Sequence, residues 1–571
     1  MNVRRKSVKN QYVYFFSILL AILCSLIYCH GVLNGDDTIF HLNRIKSLSE
    51  AISQGNLFPK IYWNQNFGYG YGSPLFYSDF FLMIPAILNL FGLNVVTSYQ
   101  ILIIFISFLS GITVGYLIKR HTESKYVLFI CMMMYVLAPY RLTDVFLRGA
   151  LGEVLVFIFL PIVMMGIEDL FLYKSDKISN LVIGFSGIAL SHNISLIIVS
   201  LFFFVFMIQN FREIIKNKKV IKLIIYAVII TIGICAFFLL PMLEQMMNST
   251  FRYSQSTLAQ GIDYLQVFSD FPNGLFYILR MSPGILSIII AVVVLMSKDT
   301  GKFERKIIST GLLFLALTSS LIPLGFLRFM TIIQFPFRLL MIPTLCFVYS
   351  NFLFLNKIHF LHGITKKSFL VFIFFISLLP TIIQTRQWGI YFKYNTPDSV
   401  LNIDRISTRF EDSFPRSASE LAMGEYLSIL EFDYRQTMRK VQSTTIDLAT
   451  DIHFNESYNS FTFTIPASTE ETTWIIPKTY YKGYYVKITD KNGLTRIEPC
   501  FPEEEYKFIM FSTKNGDTKC DIYYKGTKIQ NISSWLSLIT LGMCLIFYLK
   551  KDIDKGRKNN NVEKNKRKIF K

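Results

Sequence analysis

The stretch YVYFFSILLAILCSLI, residues 12–27, decides the class of this protein. It contains no charged side chain, it follows the basic residues Arg4, Arg5 and Lys6, and no small-residue cleavage site comes after it. A signal peptide that is removed carries such a site. We therefore interpret residues 12–27 as an uncleaved membrane anchor.

Apolar runs of this kind recur along the chain of 571 residues, of which 52% are hydrophobic. A run of about 20 apolar residues is long enough to cross a bilayer as a helix. Further candidates lie near residues 98–118, 126–139, 154–171, 179–192, 194–210, 221–240, 281–297, 306–326, 334–355, 368–386 and 531–549. The fold class is therefore an α-helical polytopic membrane protein with about twelve transmembrane helices. The short runs near 126 and 179 leave that number open, and the run at 80–92 is interpreted as a helix in the membrane interface.

Basic residues set the predicted orientation, because cytoplasmic loops of membrane proteins carry an excess of lysine and arginine. Basic clusters alternate with the predicted spans at residues 119–120, 174–177, 212–222, 298–306, 357–367 and from 550 onward. This pattern predicts a multi-pass protein of a bacterial cell membrane with both termini in the cytoplasm, and it explains most of the net charge of +19. The basic tail at 550–571 is attributed to attraction by anionic lipid, and no nucleic-acid partner is predicted.

Residues 387–530 lack such apolar runs and predict a small extracytoplasmic domain that is mainly β. Alternating polar and apolar residues at 461–465 and 484–488, and a further run at 506–510, are typical of strands, and Asn492-Gly493 and Asn515-Gly516 are hairpin turn signals. We expect a β-sandwich-like fold. Both a disulfide between Cys500 and Cys520 and two free thiols are compatible with the sequence. The chain is thus predicted to begin with a transmembrane domain at 1–386, whose first outer loop is at 31–97. The β domain at 387–530, a final transmembrane helix at 531–549 and the tail at 550–571 follow.

The first outer loop opens with the adjacent carboxylates Asp36 and Asp37, which are costly at a bilayer surface unless they bind something. If Asp37 begins a helix, His41 and Arg44 follow on the same face. A helix cap is the alternative role for either aspartate, since aspartate before an apolar-periodic stretch is a good cap. We predict Asp37 as the catalytic base and Asp36 as the second catalytic candidate.

An active site on the outer face has no nucleotide donor available, so an activated sugar would be delivered on a lipid. Its transfer needs a base for the acceptor hydroxyl and cations for the departing phosphate. The predicted substrate-binding residues are His41, Arg44, Tyr71, Tyr77, Arg141, Arg148, Glu153, His192, Arg328 and Arg338. Other roles remain open for several of these residues. An internal ion-pair network is the alternative around Arg141, Arg148 and Glu153, and an interfacial aromatic belt is the alternative for Tyr71 and Tyr77.

Histidine and carboxylate side chains suit zinc or manganese, which makes Asp36, Asp37, His41 and His192 a candidate metal set. No spaced Cys/His motif supports a metal independently. A hydrogen-bonded structural histidine is the competing interpretation of His192. No cofactor is identified with certainty, and use of a divalent metal stays open.

Several short motifs follow one another in a fixed order: Gly35-Asp36-Asp37 with His41 and Arg44, Gly55-Asn56-Leu57-Phe58-Pro59, Gly70-Tyr71-Gly72-Ser73-Pro74, Ala138-Pro139-Tyr140-Arg141, Leu190-Ser191-His192-Asn193 and Gln334-Phe335-Pro336-Phe337-Arg338. Together they resemble the YfhO-type bacterial membrane proteins of the GT-C glycosyltransferase superfamily. One departure is Phe337, where tryptophan is expected. Some relatives carry a label that relates them to 6-pyruvoyl-tetrahydropterin synthase, an activity that the scattered histidines here do not fit.

This resemblance implies a glycosyltransferase that moves a sugar from a polyprenyl phosphate of the undecaprenyl type to a cell-surface polymer such as teichoic acid or polysaccharide. It also implies that Asp36 and Asp37 correspond to the acidic first-loop motif of GT-C enzymes. The expected partners are the lipid-linked sugar, the acceptor polymer and the bilayer. A flippase or transporter of a lipid-linked saccharide and a non-catalytic envelope assembly protein are the alternatives.

Overall fold

The structure, a computed structural model, describes residues 8–26, 35–66, 68–251, 261–265, 279–322, 328–359, 454–465, 471–504 and 507–547, with a few shorter pieces. The helices are α1 Asn10–Ser25, α2 Thr38–Ser53, α3 Ser73–Phe76, α4 Met83–Leu90, α5 Val95–Lys119, α6 Lys125–Val136, α7 Pro139–Leu142, α8 Leu151–Ile167, α9 Ser179–Ala189, α10 Asn193–Gln209, α11 Phe211–Lys216, α12 Lys218–Asn248, α13 Ile285–Met296, α14 Lys302–Leu317, α15 Met341–His359 and α16 Lys528–Phe547. Wider π-helical turns extend α7 over Thr143–Arg148 and α8 over Glu168–Leu172. Short 3₁₀ turns at Arg328–Ile333 and Pro336–Leu340 precede α15.

Within the described residues, five helical segments are long and apolar enough to cross a membrane. They are Val95–Lys119, Leu151–Leu172, Lys218–Asn248, Pro336–Lys357 and Lys528–Phe547. A sixth would be α6 together with α7, which are bent by 47° at their junction. The apolar helices α1, α9, α10 and α13 are shorter than 18 residues, so about twelve spans is not confirmed. The predicted span at 368–386 lies outside the described ranges.

The run at 80–92 forms a 3₁₀ turn and α4, with Pro85 in the first turns of the helix. The helical segment Phe80–Leu90 is shorter than a typical span, and its position in the membrane interface stays a prediction. The core of the helical part comes from α5, α6, α8 and α15, which bury their apolar side chains against one another. The central pairs are α1 with α5, α5 with α8, and α8 with α9.

The C-terminal part of the chain forms the predicted small β region. Its strands are β3 Gln442–Ser443, β4 Phe454–Ser457, β5 Ser460–Thr464, β6 Thr472–Thr479, β7 Tyr484–Asp490, β8 Thr495–Pro499, β9 Phe501–Pro502, β10 Phe508–Thr513 and β11 Asp517–Tyr524. They make an antiparallel four-stranded sheet in the order β3-β6-β10-β9 and a five-stranded sheet in the order β4-β5-β11-β7-β8. A separate pair joins β1, Val32–Leu33, to β2, Val400–Leu401.

The two predicted hairpin turns have different outcomes. Asn492-Gly493 joins β7 to β8, which pair with each other, and Gly493 has φ +78°, so this prediction is confirmed. Asn515-Gly516 is also a turn, but it connects β10 in one sheet to β11 in the other, so the predicted hairpin is wrong there. The turn residues fix the local backbone, whereas long-range pairing decides which sheet receives each strand.

The first loop packs into the β region instead of facing solvent. Trp63 and Phe76 belong to the same apolar core as the inward side chains of the two sheets. Tyr69 stacks on Phe508 with ring centres 5.4 Å apart and accepts a hydrogen bond at its backbone oxygen from Thr479 N at 2.7 Å. Cys500 and Cys520 are free thiols in this core, so they do not form a disulfide in the structure.

Gly72 marks the closest approach in this contact, since a Cβ added there would lie 2.6 Å from the Tyr481 ring. We expect Gly72→Ala to lower the unfolding temperature of the purified protein, because overpacking a tight contact costs about 1–3 kcal/mol. Gly542→Ala is the matched control, since its Cβ would meet no atom within 4 Å. Equal unfolding temperatures for the two variants would contradict this account of the loop.

Candidate active site

Two glycine contacts fix the start of α2. A Cβ on Gly35 would lie 2.4 Å from Leu147 O, and a Cβ on Gly149 would lie 2.2 Å from Thr38 Oγ1. Gly149 also has φ +64°, a backbone conformation that glycine adopts without strain. The close approach lets Asp37 N donate to Arg148 O at 2.8 Å. The first loop is therefore clamped against the turn between α7 and α8.

Asp37 occupies the N-cap position of α2, yet its side chain makes no capping hydrogen bond. An aspartate at this position usually accepts a bond from a backbone N–H of the first turn. The side chain is half-buried, and burial raises the pKa of Asp37 to about 6, although Arg148 and Arg338 act to lower it. Asp36 beside it is exposed. The capping alternative therefore does not describe the Asp37 carboxylate.

Glu153, in the first turn of α8, joins three segments of chain. Its Oε1 accepts from Arg148 Nη2 at 3.0 Å and from Arg338 Nε at 2.9 Å. Its Oε2 accepts from Tyr140 Oη at 2.7 Å. Arg148 also donates to Asp144 Oδ1 at 2.5 Å. We call Asp144, Arg148, Glu153 and Arg338 the charged cluster, and all four side chains are at least 90% buried.

The aromatic residues of the Gln-Phe-Pro-Phe-Arg motif cover the charged cluster. The Arg148 guanidinium lies 4.6 Å from the centre of the Phe337 ring, and the Arg338 guanidinium lies 5.0 Å from that of Phe335. The two rings stack with centres 5.2 Å apart. Arg338 Nη1 also donates to Gln334 Oε1 at 2.5 Å. Phenylalanine thus supplies the cation–π contact at position 337, where the family resemblance led us to expect tryptophan.

Tyr77 and His192 lie next to each other near the charged cluster, and Tyr77 is also near Asp37. The rings of Tyr77 and His192 are 5.9 Å apart between centres, and a Cβ on Gly152 would lie 1.9 Å from Tyr77 Oη. His192 Nδ1 accepts hydrogen bonds from Ser195 N and Ser195 Oγ, at 3.4 and 2.8 Å. The neutral ring then carries its proton on Nε2, which remains a donor. His192 is thus both a cap of α10 and a neighbour of the charged cluster.

The charges of the cluster are nearly balanced, because two guanidinium groups face the carboxylates of Asp144 and Glu153. The structure therefore favours the ion-pair network that sequence analysis left open for Arg148 and Glu153. A negatively charged ligand beside Asp37 would need a further cation. Arg280, whose backbone oxygen accepts from Thr143 Oγ1 at 3.3 Å, is half-buried, and among the described residues its guanidinium has no carboxylate partner.

Arg44 and His41 do not fit their predicted substrate contacts. Arg44 is 1% exposed and donates from Nη2 to Asp79 Oδ1 at 2.6 Å and to the backbone oxygens of Tyr77 and Ser78. His41 is also buried and lies 3.4 Å from Arg44 Nη1 through its Nδ1. Burial lowers the pKa of His41, and the charge of Arg44 lowers it further, so the ring is neutral. Both side chains hold α2 against the segment that follows Tyr77.

Arg141 and Tyr71 lie away from Asp37. Arg141 is fully buried and donates to Val136 O at 2.7 Å and to Ser107 Oγ at 3.0 Å. Val136 ends α6, where carbonyl groups lack helical partners, so Arg141 caps the bend before α7. Tyr71 is fully buried and pairs through its backbone with Tyr62. The side chain of Arg328 is outside the described part of the structure.

The candidate metal set is not assembled in the structure. Across the described ranges, no three His, Cys, Asp or Glu side chains lie where they could share a metal ion. The physical reason is that His41 turns into its own helix toward Arg44, while His192 uses Nδ1 to cap α10. Asp36 and Asp37 are left as adjacent carboxylates of different exposure.

A second polar cluster lies at the opposite end of α8. Arg120 Nη1 donates to Glu168 Oε2 at 2.9 Å and to Asp169 Oδ1 at 3.1 Å, and His121 and Tyr349 also bond to Glu168. Glu153 and Glu168 are separated by fifteen residues of helix, which is about 22 Å. The segment between them carries no charged residue. The charged cluster therefore lies at one end of the helical part.

Four residues of the site region were not among the predicted site residues: Arg280, Tyr140, Asp79 and Gln334. Gln334 and Tyr140 stood inside quoted motifs, so their contacts with Arg338 and Glu153 could have been suspected. Asp79 gave no signal, because its partner Arg44 is 35 residues earlier in the chain. Arg280 could be assigned to the outer face from the sequence, but its contact with Thr143, 137 residues earlier, could not be predicted.

The fold and the charged cluster define a helical membrane protein with a polar site at one end of its bundle. The family model described as 6-pyruvoyl-tetrahydropterin synthase related domain, membrane protein, matches residues 74–384. This is more than half of the chain, and the chain belongs to that family, in agreement with the resemblance found in its motifs. An uncharacterized protein of Lactococcus lactis subsp. cremoris (strain MG1363) is 24% identical over 264 residues, which cover 44% of this chain and 42% of that relative. No solved structure matches the chain.

The different roles of Arg44 and Asp37 can be separated by stability. We expect Arg44→Ala to destabilise the protein by about 3–5 kcal/mol, because it leaves the Asp79 carboxylate buried without its cation. Asp37→Asn should leave the unfolding temperature at pH 7 unchanged or raise it. Burial raises the pKa of Asp37 to about 6, so above that pH the ionised carboxylate opposes folding, and the neutral amide removes this cost. A large loss of stability in Asp37→Asn would show that its role is structural.

Proposed function

We propose that this protein is a membrane glycosyltransferase that moves a sugar from a polyprenyl phosphate to a polymer of the cell surface. The observation that carries the proposal is the half-buried Asp37 carboxylate, which is not used as a helix cap and lies beside a cluster of arginines. The resemblance of the motifs to GT-C enzymes supports the same class. The basic clusters at the opposite ends of the predicted spans support an outward-facing site.

In the proposed reaction, the Asp37 carboxylate takes the proton of an acceptor hydroxyl. The acceptor oxygen then forms a bond to the anomeric carbon of the sugar, while the bond from that carbon to the phosphate oxygen breaks. The phosphate leaves with the electron pair and remains attached to the polyprenyl chain. Attack on the face opposite the leaving group inverts the anomeric carbon, and the proton ends on Asp37. Because its pKa is about 6, Asp37 is ionised at neutral pH but still basic enough for this role.

The leaving phosphate needs positive charge, and the two arginines of the cluster already face Asp144 and Glu153. We assign the phosphate contact to Arg280 together with the outer edges of Arg148 and Arg338. His192 Nε2–H and the Tyr77 hydroxyl are neutral donors for the sugar or the phosphate. Glu153 acts as a positioning residue, because it orients Arg148 and Arg338 without being free to contact the substrate.

The position of the polar groups also supports a transferase over a transporter of lipid-linked saccharides. A transporter is expected to hold its substrate near the bilayer midplane, often at broken helices. The stretch of α8 between Glu153 and Glu168 carries no charge, and the charged cluster lies at one end of this helix. Arg141 donates a hydrogen bond to Ser107, midway along α5. Its guanidinium also caps the end of α6, so it is not available to bind a substrate.

Cells that carry Asp37→Asn should lose the surface-polymer glycosylation that depends on this protein, because the amide cannot accept the proton of the acceptor. Asp36→Asn is the matched control, since it removes a charge at the neighbouring exposed position and should retain most activity. The measurement is the sugar content of isolated surface polymers, with protein levels compared by immunoblot. Full glycosylation in an Asp36→Asn, Asp37→Asn double variant at normal protein level would refute the proposed function.

The pH dependence of transfer should report the ionisation of Asp37. Below pH about 6 the carboxylate is protonated and cannot act as the base, so the rate of transfer should fall tenfold for each further pH unit. The measurement is the initial rate of transfer by purified protein in lipid nanodiscs, at substrate concentrations well below saturation. A rate that stays constant from pH 7 to pH 4.5 would contradict the assignment of Asp37 as the base.

A further inference from the structure

A polar cavity of about 410 Å³ lies at the far end of α2, where the first loop meets the turn between β4 and β5. Its lining residues all carry polar side chains and come from two distant parts of the chain: Glu50, Ser53, Gln54, Asn64, Ser457 and Tyr458. Ser53, Gln54, Asn64 and Ser457 are exposed, while Glu50 and Tyr458 are half-buried. The volume is within the range of sites for small ligands. We call this cavity the polar cleft.

The functional groups of the polar cleft match the chemistry of a saccharide. The carboxylate of Glu50 accepts hydrogen bonds, and the amides of Gln54 and Asn64 both donate and accept. Neighbouring hydroxyls of a sugar ring need this mixture of donors and acceptors. Burial and the neighbouring Glu50 carboxylate raise the pKa of Tyr458, so its hydroxyl remains a donor. Its ring adds an aromatic surface to an otherwise polar lining.

The charge of the polar cleft distinguishes between kinds of ligand. No lysine or arginine is among its lining residues, and Glu50 places a carboxylate within it. A phosphate or carboxylate ligand would meet that negative charge without a cationic partner in the lining. A lipid tail would find no aliphatic side chain among the lining residues. The lining therefore favours a neutral ligand that is rich in hydroxyl groups.

The helix that carries Asp37 also carries one wall of the cleft. Glu50 follows Asp37 by thirteen residues along α2, which corresponds to about 20 Å at the helical rise. We propose that the polar cleft binds a neutral segment of the acceptor saccharide chain while another unit of the same chain reaches Asp37. This inference rests on the proposed function, and it adds the class of acceptor: a hydroxyl-rich glycan long enough to span both positions.

The test is photo-crosslinking of the full-length protein in living cells. Gln54 is replaced by p-benzoylphenylalanine, and Asn492, an exposed turn residue of the β region, receives the same group as the control. We expect irradiation to give a carbohydrate adduct at position 54 that is sensitive to periodate, and none at position 492. Asn64→Asp should reduce the adduct at position 54 at least fivefold, because it removes an amide donor and adds a second negative charge.

The outcomes of this experiment separate the polar cleft from the active site. Asp37→Asn should abolish transfer but retain the carbohydrate adduct at position 54. A carbohydrate adduct at position 54 in protein that retains Asp37 but shows no transfer would support the cleft and overturn the proposed function. Transfer without such an adduct would overturn the cleft alone. An adduct that consists only of protein or phospholipid, or an equal carbohydrate adduct at both positions, would also overturn the cleft. Normal unfolding temperatures of the variants exclude misfolding as the cause.

Discussion

The interaction of Glu153 with Arg148, Arg338 and Tyr140 is the one on which the site depends. It joins the bend after α7, the start of α8 and the 3₁₀ turn before α15. A carboxylate buried among cations is costly to leave unpaired, so the three segments must fold together. The same turn supplies the Arg148 backbone oxygen that holds Asp37 N. The first loop is thereby positioned by the charged cluster.

The packing of the first loop against the charged cluster also sets the environment of the Asp37 carboxylate. The contact between Thr38 and Gly149 holds the start of α2 against the turn, and the Asp37 carboxylate does not cap its own helix. Its half-buried position disfavours the ionised form, and the arginines of the cluster limit that effect. The result is a carboxylate with a pKa near the physiological range, at the end of a helical bundle. Such a group is a typical sign of function, because its ionised form lowers the stability of the protein instead of raising it.

Local patterns predicted the parts of the structure that local energetics decide. The apolar lengths of α5, α8 and α12, and the turn at Asn492-Gly493, could be read from neighbouring residues. Contacts between residues that are distant in sequence could not be predicted in this way. Arg44 was predicted to bind phosphate, but Asp79 captures it. Arg141 was grouped with Arg148, yet the bend at Pro139 sends it to the end of α6. The number of spans could not be predicted from the sequence either, because several apolar runs form helices shorter than a bilayer crossing requires.

In the proposed reaction, the Asp37 carboxylate activates an acceptor hydroxyl while arginine side chains bind the leaving phosphate. A cryo-electron microscopy structure of the Asp37→Asn variant with an undecaprenyl-phosphate-linked sugar would examine both roles at once. We expect the phosphate within hydrogen-bond distance of Arg280, Arg148 or Arg338, with the anomeric carbon facing position 37. A sugar bound elsewhere, with position 37 turned to bulk solvent and remote from the ligand, would contradict it.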